Sequence, residues 1–255
     1  MKNVLVTGGT GGIGYAIATA FAQQGYNLAL FGIEQNGQAL AQQLTDTYKV
    51  KTFFSNANFM DSAAVAQACK DAIAALGGID ILVNNAGIQF VSPVQDFPLE
   101  KWNSILQINL TAAFVCTQQV WPHMQKQKYG RVINIASAHG LVASAYKTAY
   151  VAAKHGMVGF TKALALEGGE HGITCNAICP GYVYTPIVEK QIPEQMAAHN
   201  KTREEVITDV FLKKHAIKEF VSIDAVVQAC MFLASDASKF TTGIAMPVDA
   251  GWVAE

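Results

Sequence analysis

Short runs of β-branched and other apolar residues recur along the chain, at Asn3–Thr7, Asn27–Phe31, Val50–Ser55, Ile79–Asn84, Gly130–Ser137, Ile173–Cys179 and Ile244–Val248. Most are continuous rather than alternating, the pattern of parallel strands covered on both faces. Between them apolar positions repeat at helical spacing, in Ile13–Gln24, Ser62–Leu76, Leu110–Lys126, Ala149–Glu167 and Ile223–Ala234. Strand and helix alternate from end to end, so the pattern predicts an α/β fold with a doubly wound parallel sheet of about seven strands. No repeat, low-complexity tract or Pro/Gly/Ser linker divides the chain, and residues 1–255 read as one domain. The alternation is interrupted at Tyr184–Phe220, a polar stretch rich in Gln, Lys and Glu. It follows a strand end, at the carboxyl edge of the sheet, where a small helical lid over a substrate would sit.

Composition narrows the function classes. Hydrophobic residues make up 51% of the chain and charged residues 15%, against about 25% charged in an average soluble domain. So thinly charged a surface suggests coverage by partner subunits; a large core in a monomer is the other reading. Net charge is −1 without any block of like charge, so the electrostatic footprint of a nucleic-acid or anionic-membrane binder is missing. The first residues run directly into a strand-like segment, without the apolar core or cleavage site of a secretory signal. No apolar stretch reaches the ~20 residues that span a bilayer, and a soluble, cytoplasmic protein is expected. Five cysteines (Cys69, Cys116, Cys175, Cys179, Cys230) are odd in number and scattered in apolar context. Buried free thiols are expected rather than disulfides, and no metal site.

The first strand feeds Thr7-Gly8-Gly9-Thr10-Gly11-Gly12-Ile13-Gly14 and then a helix. Glycines are needed where a backbone turns tightly and approaches a pyrophosphate at a helix N-terminus. The run satisfies G-x-x-x-G-x-G through Gly8, Gly12 and Gly14, and G-x-G-x-x-G through Gly9, Gly11 and Gly14, so spacing does not choose between them. Placed after a strand and opening a helix, it marks a Rossmann-type dinucleotide site. The second strand ends Leu30-Phe31-Gly32-Ile33-Glu34, with no Arg or Lys to meet a 2′-phosphate. Glu34 either accepts from a ribose hydroxyl or serves as N-terminal charge for the next helix, and both readings favour NAD.

Tyr150-Val151-Ala152-Ala153-Lys154 puts a tyrosine and a lysine one turn apart on a helix face. A phenol of pKa ~10 is a poor base at neutral pH, but an adjacent ammonium and the positive nicotinamide of an oxidised cofactor favour its anion. The spacing alone is common on solvated helix faces. Ser137, closing Ile133-Asn134-Ile135-Ala136-Ser137, offers a hydroxyl to a substrate oxygen opposite the tyrosine. In these residues the chain resembles the short-chain dehydrogenase/reductase family, whose marks occur in order: the Thr7–Gly14 loop, Asn84-Asn85-Ala86-Gly87, Asn109, Ser137, Tyr150 with Lys154, and Pro180-Gly181. The resemblance implies a catalytic tetrad of Asn109, Ser137, Tyr150 and Lys154. Tyr150 exchanges the hydroxyl proton, Lys154 lowers its pKa and holds the nicotinamide ribose, and Asn109 carries a water that relays protons to Lys154. It also implies an NAD site built from Gly8, Thr10, Gly12, Ile13, Gly14, Ile33, Asn58, Asn85, Ala86, Gly87, Pro180, Gly181, Val183 and Thr185, with Tyr150 and Lys154. Asn84 to Gly87 supports the sheet and lines the adenosine side; Val183 and Thr185 hold the carboxamide. Asn58 stands where many relatives carry Asp for the adenine amino group. A homotetramer pairing helices near Leu110–Gln127 and Ala149–Glu170 is implied as well.

Within that family, four segments are similar to the bacterial D-3-hydroxybutyrate dehydrogenases: Asn84–Gln89, Ala136–Ser144, Ala149–Gly156 and Val188–Ile192. The resemblance implies that Gln89, His139, Lys147 and Gln191 surround a substrate carboxylate and that Tyr182 and Trp252 wall the pocket. A short carboxylate in a partly dry pocket needs a cation and several converging donors. Plainer readings stand beside these: Lys147 as surface charge, His139 as a loop cap, Trp252 as an interface anchor. Tyr182 replaces a Trp of those enzymes, and its smaller ring could admit a longer 3-hydroxy acid. The expected small-molecule pair is (R)-3-hydroxybutyrate and acetoacetate, the R preference resting on the resemblance alone. Competing readings are a dehydrogenase for another hydroxy acid, a sugar alcohol, a steroid or a 3-oxoacyl thioester, and a non-catalytic NAD sensor. A thioester enzyme would favour NADP and a basic residue near the glycine loop, and none lies between Thr7 and Gln23.

Overall fold

The computed structural model describes residues 1–254. Seven parallel strands form one sheet: β1 (Asn3–Thr7), β2 (Asn27–Gly32), β3 (Thr52–Asn56), β4 (Ile81–Asn84), β5 (Gly130–Ile135), β6 (Ile173–Pro180) and β7 (Ala245–Val248). Their order is β3-β2-β1-β4-β5-β6-β7. Side chains alternate across the sheet with the period of two that a pleated strand imposes. Val4, Val6, Leu28, Leu30, Val83 and Ile133 face a layer containing α1 (Gly12–Gln23), α2 (Gly37–Tyr48) and α9 (Ile223–Ala234). Leu5, Ala29, Leu82 and Val132 face the other, with α3 (Ser62–Leu76), α5 (Ala112–Gln127) and α6 (Thr148–Gly168). Both faces of β1, β2, β4, β5 and β6 are covered, which is why these strands read as largely apolar runs, whereas β3 and β7 at the sheet edges are only partly buried. The chain winds outward from β1 to β3 and returns beside β1 as β4, so the connections diverge there and open a crevice at the carboxyl ends.

The sheet is the expected Rossmann-type one, with corrected strand ends. Pairing starts at Thr52, Ile81 and Ala245 rather than at Val50, Ile79 and Ile244, and stops at Ile135 rather than Ser137. Val50 and Ile79 are buried all the same. An apolar run records burial, and burial extends beyond the hydrogen-bonded ladder. Two helices fall outside the expected set. The buried positions of α2 are Gly37, Ala41 and Leu44, a stripe too narrow to stand out among glutamines and threonines; Gly37 lets it lie on β3, since a Cβ there would overlap the Phe54 ring. The other, α4 (Leu99–Leu106), joins α5 through a π-turn at Gln107–Thr111.

The polar stretch at 184–220 forms α7 (Pro186–His199), α8 (Arg203–Val206) and a second π-turn, Ile207–Phe211. Val188, Ile192, Val206, Phe211 and Leu212 give it a small core of its own, with Tyr182 and Phe220 at its edges. Thr202 and Glu205 cap α8 reciprocally. All five cysteines are free and buried. Among the described residues, no helix is long and apolar enough to cross a membrane.

Candidate active site

The glycine loop leaves β1 with positive φ at Gly8 (61°) and Gly12 (48°), a region that favours glycine. Gly14 packs so closely that a Cβ would overlap the Gly8 carbonyl oxygen. The N-cap of α1, Gly11, has no side chain to offer, and the first turn carries no acidic residue. The leading N–H groups of α1 are therefore left for an anion. Asn85 secures the loop from β4: its Nδ2 donates to the Thr7 and Gly8 carbonyls at 3.0 and 3.2 Å. The Thr7 hydroxyl in turn accepts from the N–H groups of Asn85 and Ala86 at 2.9 and 3.0 Å. Beneath them, Asn84 donates to Asn134 (2.9 Å) and Asn134 to Thr161 (2.8 Å), a buried polar link between β4, β5 and α6. This cradle fits a dinucleotide pyrophosphate.

At the far end of the loop Glu34 turns back toward the glycines. Its carboxylate accepts from the Thr10 hydroxyl and from the Ile33 N–H (3.1 Å) and lines the crevice with Gly11 and Gly12. Glu34 lies just before α2 (N-cap Asn36), and its carboxylate is engaged by Thr10 and Ile33. Of the expected cofactor set, Gly8, Gly12, Ile13, Asn85, Ala86, Gly87, Pro180, Gly181, Val183 and Thr185 line the crevice, with Tyr150 and Lys154. Thr10 and Gly14 shape the loop from behind. Asn58 and Ile33 do not line it: both are exposed, and the Asn58 side chain caps the Met60 N–H at 3.1 Å, a local turn.

Tyr150 and Lys154 lie on the first turns of α6, both directed into the crevice. The Lys154 ammonium is buried, donates to the Ile135 carbonyl at 2.7 Å, and stands 5.6 Å from the Tyr150 ring centre. Burial lowers its pKa to about 8. Burial also pushes the Tyr150 phenol up, against the opposing effect of its hydrogen bond with Ser137. Lys154 faces the Tyr150 ring while its ammonium is engaged by the Ile135 carbonyl. Asn109, fully buried in the π-turn, uses both ends of its amide on Ile88, accepting its N–H at 2.8 Å and donating to its carbonyl at 2.9 Å. It anchors the segment that carries Gln89 and makes no direct bond to Lys154. A π-turn of this kind often marks a functional position.

Ser137 caps the short turn at 138–140, its hydroxyl accepting the His139 N–H at 3.1 Å. His139 reaches Ser144 through Nε2 at 3.0 Å and sets its ring edge-on to Trp252, 5.0 Å between centres. Burial, reinforced by Lys147, Lys214 and His155, lowers its pKa to about 3, so the imidazole is neutral. Lys147 is no surface charge: its ammonium donates to the Tyr182 hydroxyl at 3.1 Å, and burial lowers its pKa to about 8. Tyr182 stacks on Trp252 at 5.2 Å and 17°. Trp252 is itself buried, a pocket wall rather than an outward anchor. Gln89, His139, Lys147, Tyr182, Gln191 and Trp252 all line the crevice that holds Ser137, Tyr150 and Lys154, a space of roughly 640 Å³. Ile88 and Val188 line it too and were missed from sequence. Ile88 directly follows the Asn84–Gly87 motif, and Val188 lies one turn before Gln191 on α7, which is the signal each offered.

A glycine cradle at the switch point of a parallel sheet, facing a partly buried tyrosine and a buried lysine and serine, defines a dinucleotide-dependent oxidoreductase. Residues 2–196 match the short chain dehydrogenase family, and the chain belongs to it. Two D-beta-hydroxybutyrate dehydrogenases, of Rhizobium meliloti and Cupriavidus necator, are each 43% identical to it; the alignments cover 100% of this chain and 99% and 98% of theirs. The solved structure of ElxO with NADP bound is 27% identical and superposes with a TM-score of 0.88, covering 100% of this chain and 99% of that one.

Proposed function

We propose that the chain interconverts (R)-3-hydroxybutyrate and acetoacetate with NAD. The observation that carries the substrate reading is the half-buried Lys147 ammonium in the same crevice as Ser137 and Tyr150, with Gln89, His139 and Gln191 around it. A substrate without an anionic group would leave that ammonium unpaired, which disfavours sugar alcohols and steroids. The 43% identity to D-beta-hydroxybutyrate dehydrogenases supports the same choice. The Glu34 carboxylate supports NAD, because a 2′-phosphate beside it would meet like charge.

In the oxidative direction Ser137 and Tyr150 bracket the substrate hydroxyl. Tyr150 takes its proton while the carbon beneath gives up a hydride. A nicotinamide held by Tyr150, Lys154, Val183 and Thr185 would supply the hydride acceptor. Lys154 holds the nicotinamide ribose and, with the added positive charge nearby, favours the phenolate that burial otherwise opposes. Asn109 holds the Ile88–Gln89 segment, and proton relay to Lys154 runs through water. The 184–220 segment acts as the lid, bringing Gln191 to the carboxylate. Phe114 on α5 and Leu166 on α6, 48% and 85% exposed, support a homotetramer that pairs these helices.

The test is nicotinamide reduction with (R)- and (S)-3-hydroxybutyrate, their longer homologues and uncharged alcohols, under NAD and NADP. The R acid with NAD is expected to lead. A sugar alcohol or steroid turned over as well as the acid would overturn the substrate reading.

A further inference from the structure

His215 belongs to no recognised motif and does not line the crevice, yet its side chain is fully buried behind the crevice wall. It follows the π-turn at Ile207–Phe211, held by its own N–H to the Leu212 carbonyl at 3.0 Å. Its Nδ1 lies 2.9 Å from the Glu219 carbonyl oxygen. A carbonyl can only accept, so Nδ1 carries the proton. Nε2 is then the acceptor for the Tyr182 N–H, 3.3 Å away. One neutral tautomer satisfies both contacts.

The ring is also a packing centre for three segments. It lies 6.1 Å from the Tyr182 ring and 5.8 Å from Trp252. Gly181 has no room for a side chain because of it, since a Cβ there would come within 2.9 Å of Nε2. Next to it, the Ala216 N–H donates to the Ala250 carbonyl at 2.8 Å, and the Val221 N–H to the Tyr182 carbonyl at 2.9 Å. His215 thus joins the end of the lid, the loop after β6 and the C-terminal segment where their residues meet the substrate pocket. Tyr182 extends from this junction, and its hydroxyl receives the Lys147 ammonium at 3.1 Å.

We propose that His215 is a positioning residue: it orients Tyr182 so that the Tyr182 hydroxyl holds the Lys147 ammonium where a substrate carboxylate is met. The role for the carboxylate rests on the clamp reading of Lys147 above; the coupling between His215 and Lys147 does not. A tyrosine is long, so a small tilt of its main chain moves its hydroxyl by more. Without Nε2, the buried Tyr182 N–H has no acceptor and that tilt follows.

Lys147 reactivity reads the coupling without any substrate. Competitive acetylation of the folded, full-length chain across pH, followed by peptide mass spectrometry, gives the apparent pKa of Lys147. In the parent, burial holds it at about 8. His215→Phe, which fills the space but cannot accept, is expected to raise it by about one unit or more, toward the ~10.4 of a solvated lysine. Tyr182→Phe, which keeps the ring and deletes the hydroxyl, is expected to move it the other way, below the parent, because a still-shielded ammonium has lost its acceptor. His215→Gln, whose amide oxygen can accept from Tyr182, is expected to stay within about half a unit of the parent. Identical profiles in the parent, His215→Phe and Tyr182→Phe overturn the coupling, as does a His215→Gln shift equal to that of His215→Phe. Should His215→Phe fail to fold by circular dichroism, His215→Leu, which likewise cannot accept from Tyr182, takes its place in the same comparison.

Kinetics then read the consequence. In His215→Phe the KM for 3-hydroxybutyrate is expected to rise ~10-fold with kcat within ~3-fold, while the KM for its methyl ester stays put. An acid KM and an ester KM that rise together mean general loosening and overturn the positioning role. If the profiles shift as expected but the parent does not oxidise 3-hydroxybutyrate, the substrate reading falls and the coupling stands.

Discussion

The Lys154 ammonium stands 5.6 Å from the centre of the Tyr150 ring and gives a hydrogen bond not to the phenol but to the Ile135 carbonyl, 2.7 Å away. Lys154 is buried and Tyr150 partly so, and desolvation drives both toward neutrality from opposite sides, raising the phenol and lowering the ammonium to about 8. A further positive charge beside Lys154 would favour the phenolate, and under the proposed mechanism this ties acid/base competence to cofactor binding.

Tyr150→Phe removes the proton acceptor and little else. The kcat is expected to fall by ~10²–10⁴-fold with nicotinamide affinity unchanged. Steady-state absorbance of the reduced nicotinamide, with dinucleotide titration by fluorescence, checks both. A loss below about tenfold would take the acid/base role away from Tyr150.

Carboxylate binding should weaken at alkaline pH. Lys147 is charged below about 8 and loses its proton above it, whereas His139, lowered to about 3, does not change charge across that range. The KM for 3-hydroxybutyrate is expected to climb up to ~10-fold per pH unit above 8. The KM for the methyl ester, and for the acid in Lys147→Ala, should lack that climb. An equal climb for acid and ester would remove Lys147 from the clamp.

Lys154 also carries a stability signature. Its folded pKa of about 8 lies below its ordinary value of 10.5, so the unfolded chain binds more protons between those values and stability rises with pH there. Below pH 8 both states are protonated and the whole cost of burying the charge is present. The gap between 10.5 and about 8 corresponds to on the order of 3 kcal/mol. In Lys154→Met this cost disappears, partly offset by the loss of the hydrogen bond to Ile135. The variant's advantage over the parent should be largest below pH 8 and shrink toward pH 10, read as urea midpoints. A difference that does not vary with pH would show that the ammonium is not desolvated.

Glu34→Gln takes the negative charge from the adenosine end while keeping an acceptor for Thr10. The ratio of kcat/KM for NADP to that for NAD is expected to rise ~10-fold or more, the equivalent of about 1.4 kcal/mol of relieved repulsion. No change in the ratio would mean that Glu34 does not select the cofactor.

Gly14→Ala places a methyl group against the Gly8 carbonyl and the Asn85 amide. The loop must move, and dinucleotide affinity is expected to fall ~100-fold or more, with a stability loss of about 1–3 kcal/mol. Isothermal titration and thermal melts measure the two; unaltered affinity would dissociate the glycine loop from the pyrophosphate.

Much was written locally. Apolar runs marked the strands, most clearly the inner ones whose two faces are both covered, and the glycine run and the Tyr150/Lys154 spacing depend only on neighbours in the chain. Periodicity records which positions are buried and which side chains share a helix face. Other features were set by contacts distant in sequence: Lys147 on Tyr182, Asn109 on Ile88, Glu34 folded onto the Thr10 loop, His215 behind Tyr182. None has a periodic or motif signature, because each arises only when separate elements are packed together. The same packing decided the charges of the site: burial moved Tyr150, Lys154, Lys147 and His139 away from their ordinary pKa values, and burial is a property of the assembled fold.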